Sequence, residues 1–407
     1  MGVSNRTYTL RNCAFAVDYS HVEGPTNIVV EDGFIKHVGK EVEGDELECS
    51  EYVVMPGLVN AHTHSAMTVL RGVFDDGELH EWLARMWDEE RKLTREIMAV
   101  GSEIAVIEMI SSGTTAFVDM YFNPDQIRDI STQYGIRARA GPTLMKDKSV
   151  DETVRELRAL GESEFFRPIV NVHSLYATDL QKLRELRDNL NRGYHLHIHL
   201  SETREEVFQI KRRYGMFPVE LIHREGLTER VHGVHLGWIT SWELNYLRSS
   251  IAVTHCPTSN MKLATGGAFP MKEALTQGLN VTIGTDGAAS NNSLNMFQEM
   301  KMAVLLQRHN YWSTGITAVD VFRASSVNGY KMLGIRGGEI RPGYVADLVL
   351  LSKYEVYPLT KERLLSHLVY NPPKEVEKVI IQGKIVYQKN DFRDRLKKLL
   401  EKLSLYL

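Results

Sequence analysis

Apolar, β-rich runs recur through the middle of the chain, separated by segments of helical periodicity. The runs are MPGLVNAHTH, GTTAFVDMYF, IRARAGPTL, PIVNVHSLYA, YHLHIHLSE, VHGVHLGW, IAVTHCPTS and LNVTIGTDG, and helical stretches at 95–111, 151–160, 179–191, 204–214 and 271–277 fall between successive ones. Near-continuous apolar strands alternating with helices mark a parallel sheet covered by helices. Eight strand–helix units are the number a closed barrel requires, so the pattern predicts a (β/α)8 TIM barrel over residues 54–345. After the eighth run, SLNMFQEMKMAVLLQRH and AVDVFRASSVNGYKMLG read as two further helices.

Both ends change style. RTYTLRNCAFAVD and TNIVVEDGFIKHVG, the latter with an EDG turn between two β-rich runs, read as short strands, and EIRPGYVADLVLLSK and VEKVIIQGKIVYQKND repeat the pattern at the far end. Residues 1–53 and 346–391 are therefore expected to pair into one small composite β-sandwich. The amphipathic DRLKKLLEKLSLYL, within 392–407, is expected to dock on the surface as a helix.

Composition narrows the class. Of 407 residues, 43% are hydrophobic and 25% charged, which is ordinary globular usage with a substantial core and little room for long disorder. A formal charge of −4 supplies no pull toward a polyanion, so nucleic acid is not an expected partner. Cys13, Cys49 and Cys256 are too scattered for a disulfide framework or a CxxC metal ribbon, which fits a reducing cytoplasm. MGVSNRTYTLRNCAFAV lacks the apolar run of a signal peptide, and no stretch approaches about 18 uninterrupted apolar residues. Secretion and membrane insertion are not expected; a small-molecule substrate is, and homo-oligomerisation stays open.

The histidines carry the chemistry. His62 and His64 lie two apart in a strand-like run, so alternation turns both to one face, into the barrel near its C-terminal mouth. A lone HxH pair is structural as readily as it is metal-binding. However, His199 ends the fifth run, His232 and His235 lie in the sixth, His255 ends the seventh and Asp286 the eighth. Imidazole nitrogen and carboxylate oxygen are the ligands of a catalytic zinc-like site that keeps one position open for water.

Taken together, PGLVNAHTH, HLSET, THCPTSN and GTDGAASNN resemble the amidohydrolase superfamily over nearly the whole chain, and GGEIRPGYVADLVLL is similar to that family's return from barrel to sandwich. The order HTHSAMTVLRG, EWL, GTTAFVDMYF, HLSET and GTDGAASNNSLN is most similar to the branch of methylthioadenosine/S-adenosylhomocysteine deaminases and triazine hydrolases. The resemblance implies His62, His64, His199 and Asp286 as metal ligands, the four that strand placement also selects. Of the neighbours of His199, His197 is expected as an interior hydrogen-bonding residue below it and His195 as a strand-start residue. Many barrel amidohydrolases bridge two metals with a carboxylated lysine on the fourth strand. PIVNVHSLYA has no lysine, so one divalent ion per subunit is expected, zinc first, with iron(II) or manganese(II) as alternatives.

Glu202, three residues after His199, is the candidate proton shuttle; the competing reading is a helix-start carboxylate in SETREE. His232 is the expected hydrogen-bond donor to the bound water or the developing alkoxide, with His235 as its competitor, and His255 stays open between pocket and structure. The resemblance further implies Glu90, ahead of the LT pair in WDEERKLT, and His173 as groups that contact a sugar, although DEERK also reads as a solvated helix face. Relatives that accept S-adenosylhomocysteine place arginines in and just after the third strand; here RARAGPTLMKDKS leaves Arg139 and Lys146 as substitutes.

The expected activity is hydrolytic deamination of an adenine nucleoside such as 5′-methylthioadenosine, 5′-deoxyadenosine, adenosine or S-adenosylhomocysteine, with Glu202, His232 and Asp286 catalytic. A triazine or ammeline amino- or chloro-hydrolase, or a guanine or cytosine deaminase, is the alternative. A two-metal cyclic-amide hydrolase is disfavoured by the missing lysine, and a non-catalytic scaffold by the intact ligand set. Purified protein is expected to carry about one tightly bound divalent ion per chain; two equivalents by elemental analysis would overturn the mononuclear reading.

Overall fold

The computed structural model describes residues 7–190 and 194–406. Eight parallel strands run in chain order through two arcs. The first arc carries Leu58–His64, Thr114–Asp119 and Arg137–Ala140; the second carries Val170–Val172, Leu196–Leu200, Val231–His235, Ala252–His255 and Val281–Ile283. Phe166–Pro168 pairs with Arg137–Ala140, and its continuation Val170–Val172 pairs with Leu196–Leu200. On the other side, Val281–Ile283 pairs with Ala252–His255, and Asp286–Gly287 just beyond it pairs with Thr63 and His64. Gly284 makes that last approach possible, because a Cβ there would lie 2.7 Å from the backbone nitrogen of His62.

Helices Arg95–Ser111, Val150–Leu160, Leu180–Asn189, Arg204–Tyr214 and Met271–Thr276 lie within a residue or two of the spans that periodicity predicts. Side-chain caps explain three of the starts. Thr94, Ser149 and Thr203 accept hydrogen bonds from the backbone N–H of Ile97, Glu152 and Glu206, satisfying donors that a helix start leaves unpaired. Leu79–Glu90, Pro124–Tyr134 and Pro218–Arg224 are additional helices among the described residues.

The chain ends build two sheets. One is four-stranded, from Phe34–Gly39, Thr26–Glu31, Thr7–Cys13 and Asp45–Glu48. The six-stranded other interleaves the ends, with Leu348–Ser352 antiparallel to Tyr52–Pro56 and to Lys378–Ile381. The EDG segment makes the expected turn: Asp32 and Gly33 have φ of 52° and 85°, the left-handed pair that a two-residue hairpin needs. Leu10, Ile28, Val30, Val54, Leu348 and Ile380 form one buried cluster shared by the two sheets. Within 346–391 the chain also forms a helix, Leu364–Tyr370, which packs on helices Met296–Tyr311 and Ala318–Ser325. Helix Arg393–Leu403 buries Leu399 and Leu403, packs on Arg95–Ser111 and sets Arg395 against Glu103 through two 2.7 Å bonds.

One buried charge cluster ties the strand starts to the terminal sheets. Asp347 is fully buried and accepts from Arg137 Nε at 2.7 Å, Arg137 Nη2 at 3.2 Å, Tyr330 Oη at 2.9 Å and Gln382 N–H at 2.7 Å. Arg139, expected as a substrate-binding substitute, also lies on this side. Its guanidinium donates to the Leu333 carbonyl and meets His195 Nδ1, and it does not line the cleft at the opposite strand ends. Removing the acceptor of a buried pair strands the cation, so Asp347→Ala is expected to cost about 3–5 kcal/mol in denaturant unfolding. A loss under about 1 kcal/mol would show that the cluster is not a structural tie.

Candidate metal centre and active site

At the C-terminal strand ends, four side chains from two strands and from the segment just after a third point at one another. His62 Nε2 and His64 Nε2 lie 3.3 Å and 3.1 Å from Asp286 Oδ1, and His199 Nε2 lies 3.1 Å from His62 Nε2. The hydrogen-bond network assigns their tautomers. Asn171 Nδ2 donates to the carbonyls of Asp119 and Gly141, which leaves its Oδ1 to accept from His197 Nδ1 at 3.0 Å. His197 then offers a bare Nε2, which takes the Nδ1 proton of His62 at 3.0 Å. His64 Nδ1 donates to the Met120 carbonyl and His199 Nδ1 to the His173 carbonyl. Each of the three rings therefore turns its Nε2 to the centre.

Electrostatics agree with that assignment for His62 and His199, whereas the Nε2 of His64 carries a proton that a bound ion would have to displace. Burial drives His62 down to about 3 and holds His199 far below its ordinary range, with neighbouring imidazoles adding to the effect on His199. Both are neutral, so two bare nitrogens face each other at 3.1 Å with no proton to share. A cation between them resolves that repulsion. His64 behaves differently: burial works against its charge, but the hydrogen bond and charge of Asp286 prevail and raise it to about 9. Asp286 is held well below the usual carboxylate range by His62 and His64 despite its burial. The donor atoms of His62, His64 and Asp286 lie within 4.8 Å of one another, and those of His62, His199 and His235 form a second such group; imidazole nitrogens with a carboxylate oxygen suit a divalent transition ion.

The positions of these ligands are built. Asp286 has φ of 65°, left-handed for a non-glycine residue, and Ser259 donates to its second oxygen Oδ2 at 2.5 Å, which leaves Oδ1 for the centre. Asp119 accepts from Thr63 Oγ1 at 2.8 Å and from Ser65 N–H at 2.7 Å, fixing the chain on both sides of His64.

Above the centre opens a cleft. Glu202 lines it, buried, and its carboxyl is pushed up to about 8 by desolvation and by the charge of Asp286. Glu90 is a half-buried lining residue, with its carboxyl raised by burial and its Oε1 accepting from Tyr121 Oη at 2.7 Å. It is not a solvated helix charge. His173 lines the same wall and is lowered to about 4 by desolvation, its ring 5.2 Å from that of His199. Leu79, Trp82, Leu83 and Met86, from the helix Leu79–Glu90, supply an apolar side.

His232 is corrected. Its Nε2 meets Thr254 Oγ1 at 2.5 Å, and its ring stacks on His197 at 4.5 Å, one layer below the centre. His235 occupies the cleft instead, with Nε2 3.6 Å from Glu202 Oε1. Strand register explains the exchange: His232 lies level with His197, and His235 level with Leu200 just past His199. At His235 and Leu236 the backbone turns left-handed, with φ of 75° and 52°, so alternation no longer governs where the side chain points. Asn260 Nδ2 donates to His235 Nδ1 at 3.1 Å, which puts the ring proton on the Nε2 facing Glu202. His255 packs beside Phe269, its two nitrogens without a partner, and does not line the cleft; exposed Lys146 does not line it either. Asp119, Asn171, Ser259 and Asn260 are supporting residues that sequence reasoning missed, although Asp119 lies inside the predicted run GTTAFVDMYF and Ser259 and Asn260 lie in the THCPTSN motif.

Comparison with known proteins places this architecture. The Amidohydrolase family profile matches residues 53–386, so the chain belongs to the amidohydrolase family and is a hydrolase. Over 385 residues it is 36% identical to the 5-methylthioadenosine/S-adenosylhomocysteine deaminase of Pyrococcus furiosus, covering 90% of this chain and 92% of the relative. It is 37% identical over 383 residues to the 5′-deoxyadenosine deaminase of Methanocaldococcus jannaschii, covering 88% and 90% of the two chains. An adenosine deaminase from Xanthomonas campestris, solved with bound zinc, superposes with a TM-score of 0.89 at 29% identity, covering 98% of both chains.

His197→Phe keeps the stacking volume but leaves the His62 Nδ1 proton without its acceptor. Metal affinity, measured by competition with a chelator, is expected to weaken by about 10–100-fold; an unchanged affinity would show that the Asn171–His197–His62 relay does not orient the ligand.

Proposed function

We propose that this chain is a mononuclear metal-dependent deaminase that hydrolyses the C–NH2 bond of an adenine nucleoside and releases ammonia. 5′-Methylthioadenosine, 5′-deoxyadenosine, adenosine and S-adenosylhomocysteine are the candidates, and the deaminase names of the relatives support the class. The observation that carries the reading is Glu202 beside the Nε2–H of His235, in one cleft with His64, His199 and Asp286 and with the polar groups of Glu90 and His173.

His62, His64, His199 and Asp286 would hold one divalent ion, zinc by donor type, with iron(II) or manganese(II) as alternatives. Such an ion lowers the pKa of a bound water from 15.7 toward about 7. With the ion bound, Glu202 would be the group that carries a proton from the attacking water to the ring nitrogen next to the amino-bearing carbon; without it, burial and the charge of Asp286 raise its carboxyl to about 8. The water oxygen adds to that carbon, the ring nitrogen gains the proton, and the C–N bond breaks with a second proton leaving on ammonia. His235, in place of His232, donates Nε2–H to the oxygen that becomes the carbonyl. Glu90 offers a carboxylate to ribose hydroxyls and His173 lies on the same wall.

The same reading joins the two strand arcs into a closed (β/α)8 barrel over 54–345. It makes the terminal sheets one sandwich, from 1–53 and 346–391, with 392–407 as a docked helix. Among the described residues no helix is long and apolar enough to cross a membrane; we assign the enzyme to the cytoplasm, with a small-molecule substrate.

An ammonia-release screen across adenosine derivatives, guanine, cytosine and aminotriazines tests the substrate class, and turnover confined to the last three would overturn the nucleoside reading. In the same assay Glu202→Gln is expected to keep its metal and lose at least about 100-fold in kcat. Loss of the metal instead would make Glu202 a ligand.

A further inference from the structure

A second buried carboxylate stands behind Glu202 and touches none of the metal donors. Glu206, in helix Arg204–Tyr214, is 2% exposed and does not line the cleft. Its Oε1 accepts the N–H of Ser201 at 3.2 Å and its Oε2 the N–H of Glu202 at 2.9 Å, while its own N–H donates to Thr203 Oγ1 at 3.1 Å. Thr203 capping explains the last bond. The first two are unusual, because consecutive backbone N–H groups in a strand point to opposite sides and cannot share one partner.

They converge here because Ser201 is left-handed, with φ of 50°. A left-handed residue at such a turn folds successive N–H groups into a concavity that binds an anion. At the end of the strand carrying His199 the chain makes this concavity and fills it with its own Glu206. The turn is held from the other side as well: the Ser201 carbonyl accepts from Trp238 N–H at 3.0 Å, and Leu200 O from Leu236 N–H at 3.0 Å. The left-handed ends of two adjacent strands are thereby locked together, one leading to Glu202 and the other beginning at His235.

We propose that Glu206 is a positioning residue whose carboxylate holds the Ser201–Glu202 turn and so aims Glu202 at the reacting atoms. The inference rests on the deaminase reading for what Glu202 does, and on hydrogen bonding alone for what Glu206 does. Two acceptor oxygens are required. Glutamine in this place offers one oxygen and turns an NH2 toward the second backbone donor; alanine leaves both donors buried and unpaired. Either change lets the turn relax and moves a proton shuttle whose transfer depends on placement to within about 1 Å.

Glu206→Gln and Glu206→Ala are compared with the parent holoenzyme by three measurements: bound metal, kcat and KM on the best nucleoside of the ammonia screen, and amide hydrogen exchange of peptides spanning 200–206. Faster exchange at Ser201 and Glu202 is expected in both variants, with metal retained. Turnover is expected to fall about tenfold in the glutamine variant and about 100-fold in the alanine variant, with KM within about twofold. Unchanged exchange, or faster exchange with kcat intact, would overturn the proposal, as would a KM that rises in step with the loss. If the parent itself releases no ammonia from any nucleoside, the deaminase reading falls, and the exchange measurement still decides whether Glu206 holds the turn.

Discussion

On the proposed reading, three imidazoles, each presenting one nitrogen, and one carboxylate aim at a single buried point, and much of the architecture at the strand ends answers to that requirement. An imidazole can ligate only through the nitrogen that lacks a proton, so each ring needs an acceptor for its other nitrogen. Main-chain carbonyls beyond neighbouring strands serve His64 and His199. His62 sits deeper, where its acceptor is another side chain, His197, itself set by Asn171. This explains why the interior between the strands is polar at that level. His197, His232, Asn171, Thr254 and Thr282 are all buried and hydrogen-bonded, a layer that supports the centre from below.

The division between legible and illegible residues follows from the same physics. His62, His64, His199 and Asp286 were readable because a strand's period of two and its C-terminal end are properties of sequence order. The structure brings these four together. Helices at 95–111 and 204–214 were readable from apolar periodicity, reinforced by the threonines that cap them. What failed involved backbone conformation or distant contacts. A left-handed φ at His235, a non-glycine residue, leaves no mark in the sequence, so alternation favoured His232. Yet the rule that ranked His199 above His197, nearness to the strand's C-terminal end, ranks His235 above His232. Arg139 failed for another reason. An arginine in a strand reads the same whether it faces the mouth or the base, and only the contacts with His195 and the Leu333 carbonyl place it at the base. Glu90 sits in a charged run that periodicity reads as solvated, and its partner Tyr121 is distant in sequence.

Chemistry and recognition are built on different elements. The proposed metal donors come from strands and strand ends, tied by backbone pairing and by the buried Arg137–Asp347 cluster to the terminal sheets. Five of the cleft's apolar lining residues, Leu79, Trp82, Leu83, Met86 and Trp87, come instead from one helix, Leu79–Glu90, which also carries Glu90. Among the described contacts, that helix reaches the chemical layer through Tyr121, whose hydroxyl meets Glu90 and whose ring lies 6.4 Å from that of His64. Substitutions on the helix can therefore reshape what the cleft accepts while the tautomers of His62, His64 and His199, set by partners outside it, stay as they are. On the proposed reading, a metal centre specified so completely by its own strands can serve ring substrates of different outline. The shape and polarity of the Leu79–Glu90 wall, more than the ligand set, would then decide which ring arrives at Glu202 and His235.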